Sequence, residues 1–577
     1  MSVSTRQQRA QFASETLASL GQLVEDATAH FSMPGGVISV VDRGGILDEL
    51  SFGLANVECS TPMDPRYRFE IGSISKLFTS LVVNRLVDEG RLDLDETLAQ
   101  IFEWVDASSG LGRVSVRRLL NHTSGMSVGA DTLADDAGEV WHSRHCVVAP
   151  DSPARFHYSN LGYLVLGEIV RERSGRRLAE LVREQFLGPL KMDRALAEVS
   201  FADQASLATG YWPARPDRPW APGDPLSPAT FFEVDSASGN VAATSSDMAA
   251  LVGALLGAAT NDPVLDAEGR AVISRATFDR ITQDLAPSGE PVYLAGGVRA
   301  VESSRYAMGI NVEQVGAHRC VSHGGGMVGY STFMLVDCTA ELGVVVMTNA
   351  NGDTLGAHLL ARIVHDDVLR RLEHAEPIAR TSLDLSVRAD NVAVHCVEPG
   401  TYWGDDFEES LEVLDARDGG AMHVRYRALE GRLFHLPNGR FVTEHPQLRR
   451  FHLDWSAHDA SAGFTYGPTT FRRAEGRETN AASFSAPPHA LVGHYRSFSP
   501  WYPEFRIIER SATLLLVAPG GVEAPSDEVV LVEVEPGVYR VGDDPWLPER
   551  LIAGPVRASQ VVSVNRDGCL YSRVFSP

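Results

Sequence analysis

The chain has 577 residues, too many for one hydrophobic core, so roughly two to four domains are expected. Hydrophobic residues make up 44% and charged residues 22%, ordinary proportions for a globular protein. The 75 acidic against 51 basic side chains leave a net charge of −24, which argues against nucleic acid and anionic membrane as partners.

Met1 to Ala10 is polar and lacks the apolar run of a signal peptide, and no later stretch approaches the ~20 continuous apolar residues of a membrane span. The six cysteines (Cys59, Cys146, Cys320, Cys338, Cys396 and Cys569) are scattered, with no Cys-x-x-Cys pair. Neither a zinc site nor a disulfide framework is indicated, and reduced, cytoplasmic thiols are expected. No cofactor is expected either.

Gln7 to His30 reads as an amphipathic helix closed by Met33-Pro34-Gly35-Gly36. Val37–Val41 and Ile46–Leu54 read as two strands joined by the turn Asp42-Arg43-Gly44-Gly45. Gly72 then breaks the chain and Ser73 opens a helix whose apolar face is Leu77, Phe78, Leu81, Val82 and Leu86. Ser73 and Lys76, three apart, share a face of that helix, at the end where free N–H groups favour developing negative charge. A serine hydroxyl becomes a nucleophile when a neighbouring base takes its proton, and a desolvated lysine can serve. The same spacing also fits an N-capping serine beside a solvated lysine, so partners downstream must decide.

Leu92–Asp95 leads into a short helix reaching Trp104, and a second helix spans Val114–Leu120 before Asn121-His122-Thr123-Ser124-Gly125. Asn-His-Thr matches a glycosylation sequon, without consequence in an unsecreted protein. The acidic loop Asp131–Glu139 precedes His142, His145 and Cys146, a trio with no fourth ligand nearby, so no metal is expected. Tyr158-Ser159-Asn160 stands before a helix over Leu161–Arg173. Its plain reading is a core aromatic and an asparagine N-cap. Its functional reading is a phenol that carries protons beside cations and an amide that orients the lysine and a substrate amide.

Ser236–Asp247 reads as a scaffold turn, with Ser246 capping the helix Met248–Leu256. From Tyr306 the pattern is strand-rich and reaches His323-Gly324-Gly325-Gly326. No Gly-Lys-Ser/Thr follows these glycines, which excludes a phosphate loop. Phe333–Val336 and Leu342–Met347 read as strands, and Thr354–Leu372 as a closing helix. Residues 1–375 are thus expected to form one domain and 376–390 a linker. Short strands, turns and two similar starts, Pro399-Gly400-Thr401-Tyr402 and Val492-Gly493-His494-Tyr495, predict two antiparallel β domains over 391–482 and 483–577.

The ordered set Ser73-Ile74-Ser75-Lys76, Tyr158-Ser159-Asn160 and His323-Gly324-Gly325 resembles the class C β-lactamase/DD-peptidase family of penicillin-recognising serine hydrolases. Val116–Gly125 and Gly343–Asn349 support the resemblance, which spans residues 20 to 372. It implies an α+β fold: an antiparallel sheet flanked by helices, packed on an all-helical region, ahead of the two small barrel-like domains. It also implies Ser73 as acylated nucleophile, Lys76 as its base, Tyr158 as proton shuttle and Asn160 as a substrate-positioning amide. Gly325 and Gly326 would border the substrate, with the Ser73 and Gly326 amides as oxyanion hole, and His323 would join the catalytic group.

Many members carry Lys-Thr-Gly where this chain has His323-Gly324-Gly325. A histidine is only partly charged near neutral pH and a glycine has no hydroxyl, so substrates ending in a carboxylate are disfavoured against esters or other amides. This variant, with the missing leader and the trailing β domains, is similar to the D-aminopeptidase branch. That branch is cytoplasmic, releases N-terminal D-residues, and sends a loop of its last domain to the substrate ammonium. Val541-Gly542-Asp543-Asp544-Pro545-Trp546 is the candidate loop, and a solvated hairpin turn is its plainer reading.

The expected activity is therefore acyl-enzyme hydrolysis of a small peptide, amide or ester, as a D-stereospecific aminopeptidase or amidase. A carboxylesterase and an acyl-transferring transpeptidase or cyclase are alternatives with the same site. A catalytically silent peptide-binding protein is the alternative of another class. A homodimer is left open.

Overall fold

The computed structural model describes residues 5–574 apart from 131–135, 151–153, 222, 352–354, 379–396, 405–409, 416–421, 437–439, 456–462, 474–488 and 521–524. Most of the expected linker, 379–390, lies outside the described residues. Two compact units are present: residues 1–212, 227–385 and 546–548 form the first, and residues 213–226, 386–545 and 549–577 the second.

The first unit is built on one sheet. Its strands in chain order are β1 (Gly35–Asp42), β2 (Gly45–Asn56), β3 (Thr61–Pro62), β4 (Ser303–Tyr306), β5 (Asn311–Val315), β6 (His318–Met327), β7 (Tyr330–Asp337) and β8 (Leu342–Thr348). They lie side by side as β3-β2-β1-β8-β7-β6-β5-β4, with antiparallel pairing throughout. β1, β7 and β8 are buried at every position, which is why apolar residues dominate both faces of each instead of alternating with polar ones. Helices cover them: Leu355–Leu372 packs on β7 and β8, and Ser245–Ala259 on β1 and β8. The all-helical part includes Ser75–Asp88, Val116–Leu120 and Asn160–Ser174, which pack through Leu77, Leu81, Leu119, Leu161 and Leu164.

Local chemistry moves some boundaries. The expected helix Gln7–His30 is two helices, Arg6–Ala18 and Gly21–Phe31. Between them the Ser19 hydroxyl donates to the Thr16 carbonyl at 2.7 Å, a local bond that competes with helix continuation, and Gly21 follows. The helix after the scaffold turn is capped by Thr244 rather than Ser246: its hydroxyl accepts from the Asp247 amide at 3.3 Å and the Asp247 carboxylate takes the Thr244 amide at 2.9 Å.

The second unit holds two closed eight-stranded antiparallel barrels, Gly400–Arg473 and Gly493–Arg573. They repeat one closure. Tyr402 pairs with Arg473 across the seam of the first, and Tyr495 with Arg573 across the seam of the second. Each tyrosine hydroxyl donates four residues back, Tyr402 to the Glu398 carbonyl at 2.7 Å and Tyr495 to the Leu491 carbonyl at 2.8 Å. Each arginine also donates to the residue before the strand, Pro399 at 2.6 Å and Val492 at 2.7 Å. The similar starts seen in the sequence are the visible half of this tyrosine–arginine latch.

Candidate active site

Ser73 sits in a single 3-10 turn, Gly72–Ile74, that feeds the helix Ser75–Asp88. Two glycines allow this turn to lie backbone to backbone against β6. A Cβ on Gly72, whose φ is +49°, would meet the Gly326 carbonyl oxygen at 2.5 Å and its nitrogen at 2.8 Å. From the strand side, a Cβ on Gly325 would come within 1.9 Å of the Ile71 carbonyl. The Thr332 hydroxyl lies 3.2 Å from that carbonyl and 3.0 Å from the Gly325 carbonyl, bonding the turn to the sheet. Such an approach is what a shared oxyanion site of the Ser73 and Gly326 amides requires.

Lys76 is fully buried, and its Nζ is hydrogen-bonded to Ser73 Oγ at 3.1 Å and to the Ser238 carbonyl at 2.9 Å. Its Nζ also stands 5.0 Å from the centre of the Tyr158 ring and 5.5 Å from that of Tyr163. The segment carrying Ser238 is held from three sides. The Ala237 amide donates to Asp136 at 2.9 Å, the Thr79 hydroxyl donates to the Ala237 carbonyl at 2.7 Å, and Val241 N donates to Ser75 Oγ at 3.0 Å. Burial pushes the Asp136 carboxyl up to about 7.

Tyr158 precedes the helix Asn160–Ser174, whose N-cap is Ser159: its hydroxyl accepts from the Gly162 amide at 3.0 Å. Asn160 is therefore the first helical residue, not the cap, and its backbone N–H donates to the Val128 carbonyl at 2.8 Å. His122 fixes the segment around Tyr158. Its Nδ1 accepts from Ser159 N at 3.1 Å, its carbonyl accepts from His157 N at 2.8 Å, and its ring centre is 4.3 Å from that of Tyr158. Burial, then the charge on Lys76, hold the His122 imidazole well below its usual range, so it is neutral.

His323 is fully buried on β6. Its Nδ1 lies 2.5 Å from the Gly324 carbonyl, so the proton is assigned there, and Nε2 accepts from the Tyr306 hydroxyl at 2.9 Å. Burial lowers its pKa, against the opposing Glu290 carboxylate 4.0 Å away. Desolvation thus moves this histidine further from its charged form than an ordinary imidazole. Glu290 accepts from the Asn311 amide at 2.6 Å and keeps partial exposure. Tyr306 centres a cluster with His122 at 4.6 Å and Tyr158 at 6.2 Å between ring centres, and burial raises both its pKa and that of Tyr163.

In the Val541–Trp546 turn, Trp546 groups with the first unit. Its indole N–H donates to the Pro150 carbonyl at 3.1 Å and its ring stands edge-on to His157 at 5.6 Å.

Ser73, Lys76, Tyr158, His323, Gly325 and Gly326 are therefore linked through one contiguous set of contacts, with Asn160 at the adjoining helix start. Sequence reading passed over four neighbours: the Ser238 carbonyl, His122, Tyr306 and Glu290. Ser238 lay in a stretch read as scaffold and His122 inside a sequon. Tyr306 marked only the onset of strand-rich sequence, and Glu290 had no motif around it.

A buried Ser-x-x-Lys pair between an antiparallel sheet and a helical region, with a tyrosine ring over the lysine, is the arrangement of the penicillin-recognising serine hydrolases. Residues 20–367 match the family described as Beta-lactamase, and the chain belongs to that family. It is similar to a D-aminopeptidase of Brucella anthropi, 22% identical over 555 residues, which covers 92% of this chain and 90% of the relative. Penicillin-binding protein 4 of Amycolatopsis lactamdurans is 31% identical over 172 residues, 28% of this chain and 45% of that protein. The octameric penicillin-binding protein homologue from Pyrococcus abyssi shares the fold, with a TM-score of 0.51 at 20% identity, over 79% of this chain and 99% of that one. No described helix is long and apolar enough to cross a membrane.

Proposed function

We propose that the chain is a D-stereospecific aminopeptidase or amidase that releases N-terminal D-amino acids from small peptides and amides. Lys76, as the free amine, accepts the Ser73 hydroxyl proton as Oγ bonds to the substrate carbonyl carbon, and hands that proton on toward Tyr158. The Ser73 and Gly326 amides stabilise the oxyanion, and the leaving amine departs with a proton delivered through Tyr158. Water then attacks the Ser73 ester, giving up its proton as the serine hydroxyl re-forms. Asn160 positions the substrate amide.

The observation that carries the reading is the charge at the recognition end. His323, where many relatives have a lysine, is neutral, and a carboxylate, Glu290, stands 4.0 Å from it. A site so lined attracts an ammonium and gives no fixed cation to a carboxylate. The similarity to a D-aminopeptidase along 92% of the chain supports the choice of a D-residue.

The test is Glu290→Gln. Loss of a charge-assisted bond of about 1.5–3 kcal/mol raises KM for a free-amine substrate roughly 10- to 100-fold and leaves KM for its N-acetylated ester unchanged. Equal effects on both substrates would refute ammonium recognition by Glu290.

A further inference from the structure

We propose a structural zinc site on the sheet face opposite Ser73, formed by Cys320 of β6, Asp337 of β7 and His365 of the helix Leu355–Leu372. The donor atoms of Cys320, Asp337 and His365 all lie within 4.8 Å of one another, and all three residues are buried. Thiolate, imidazole and carboxylate together are a zinc donor set, and tetrahedral coordination separates such donors by about 3.4 Å. His365 Nε2 and Asp337 Oδ2 are already 3.1 Å apart.

Strand geometry brings the set together. Cys320 is the cross-strand partner of Asp337, and His318 and Cys320, two apart, share a face of β6. Gly325, odd-numbered like His323, meets the Ser73 turn, so the even-numbered His318 and Cys320 point to the other face. There the helix Leu355–Leu372 covers β7 and β8 and supplies His365.

Outer contacts orient these groups as metal ligands are oriented. Asp337 Oδ1 accepts the Thr339 and Ala340 amides at 2.9 and 2.8 Å, which leaves Oδ2 turned toward the imidazoles. His318 Nε2 is 3.3 Å from Glu373, itself bound by Arg299 at 2.8 Å, a carboxylate–histidine pairing that directs the other ring nitrogen inward. That nitrogen, Nδ1, is 2.7 Å from Asp337 Oδ2, so His318 pairs with the carboxylate and holds it in place as an outer contact. Zinc binding forms the S–Zn bond as the Cys320 thiol releases its proton to solvent. The Cys320 thiolate and the Asp337 carboxylate balance the dication.

The test is metal content of the full-length, untagged protein, with Cys320→Ser and His365→Asn beside it and Cys338→Ser, the adjacent thiol, as control. The expected result is about one zinc per chain in the wild type and in Cys338→Ser, and under roughly a tenth of that in the other two. Cobalt(II) reconstitution should give a near-ultraviolet thiolate-to-cobalt band in the wild type, a readout that stands even where a variant fails to fold. A wild type that takes up neither zinc nor cobalt, cobalt bound without the thiolate band, or full zinc retention in Cys320→Ser would overturn the site and leave a hydrogen-bonded Asp–His cluster.

Discussion

Glu70 lies three residues before Ser73, on the two-residue strand Phe69–Glu70 that pairs with Ala242–Ala243. It is buried, its Oε2 has no hydrogen-bond partner, and burial pushes its carboxyl up from 4.5 to about 8. The folded state therefore binds a proton that the unfolded chain has released. Stability contributed by the protonated form is complete below about 4.5 and is lost as pH rises through about 8.

At about 1.4 kcal/mol per pH unit, the gap between 4.5 and pH 7 corresponds to roughly 3 kcal/mol lost at neutrality. Glu70→Gln keeps the size of the side chain and cannot ionise. Thermal midpoints of variant and wild type should nearly coincide at pH 5, then diverge steadily up to pH 8, with the variant higher by several degrees at pH 7. A difference that does not change between pH 5 and pH 8 would refute the buried-carboxyl argument.

Two further substitutions probe how the site is positioned. Gly325→Ala places a Cβ 1.9 Å from the Ile71 carbonyl and so displaces the Ser73 turn. With an oxyanion donor misplaced, kcat should fall about 100- to 1000-fold in steady-state assays, and a fall under tenfold would count against the backbone contact. His122→Phe strands the Ser159 amide and loosens Tyr158, so kcat should drop roughly tenfold with KM little changed. His122→Asn, whose side-chain oxygen can take the place of Nδ1, should recover most of that loss. Equal loss in both variants would mean that the ring, not the hydrogen bond, matters.

The fold was legible where short-range patterning specifies it. The largely apolar runs of β1, β7 and β8, the helix periods and each of the two barrel starts are patterns only a few residues long. Ser73 and Lys76 could be brought together on paper because one helical turn joins them. The groups that complete their surroundings could not. The Ser238 carbonyl comes from 162 residues beyond Lys76, and Tyr306 reaches His323 through the pairing of β4, β5 and β6. Burial was equally invisible: His323 read as partly charged because an ordinary imidazole is so near neutral pH, whereas tertiary packing desolvates it. The break at Ser19 rests on one hydroxyl bonding the Thr16 carbonyl three residues back, and at the later helix two hydroxyls, Thr244 and Ser246, stand two residues apart as rival caps.

The most direct test compares hydrolysis of D-alanine p-nitroanilide, its L-isomer, its N-acetylated form and p-nitrophenyl acetate, with Ser73→Ala as control. Turnover of the free-amine D-isomer well above the L-isomer and the N-acetylated form, lost in Ser73→Ala, is the predicted result. Turnover of the acetate ester alone would contradict the aminopeptidase assignment, and activity unchanged in Ser73→Ala would contradict the acyl-enzyme itself.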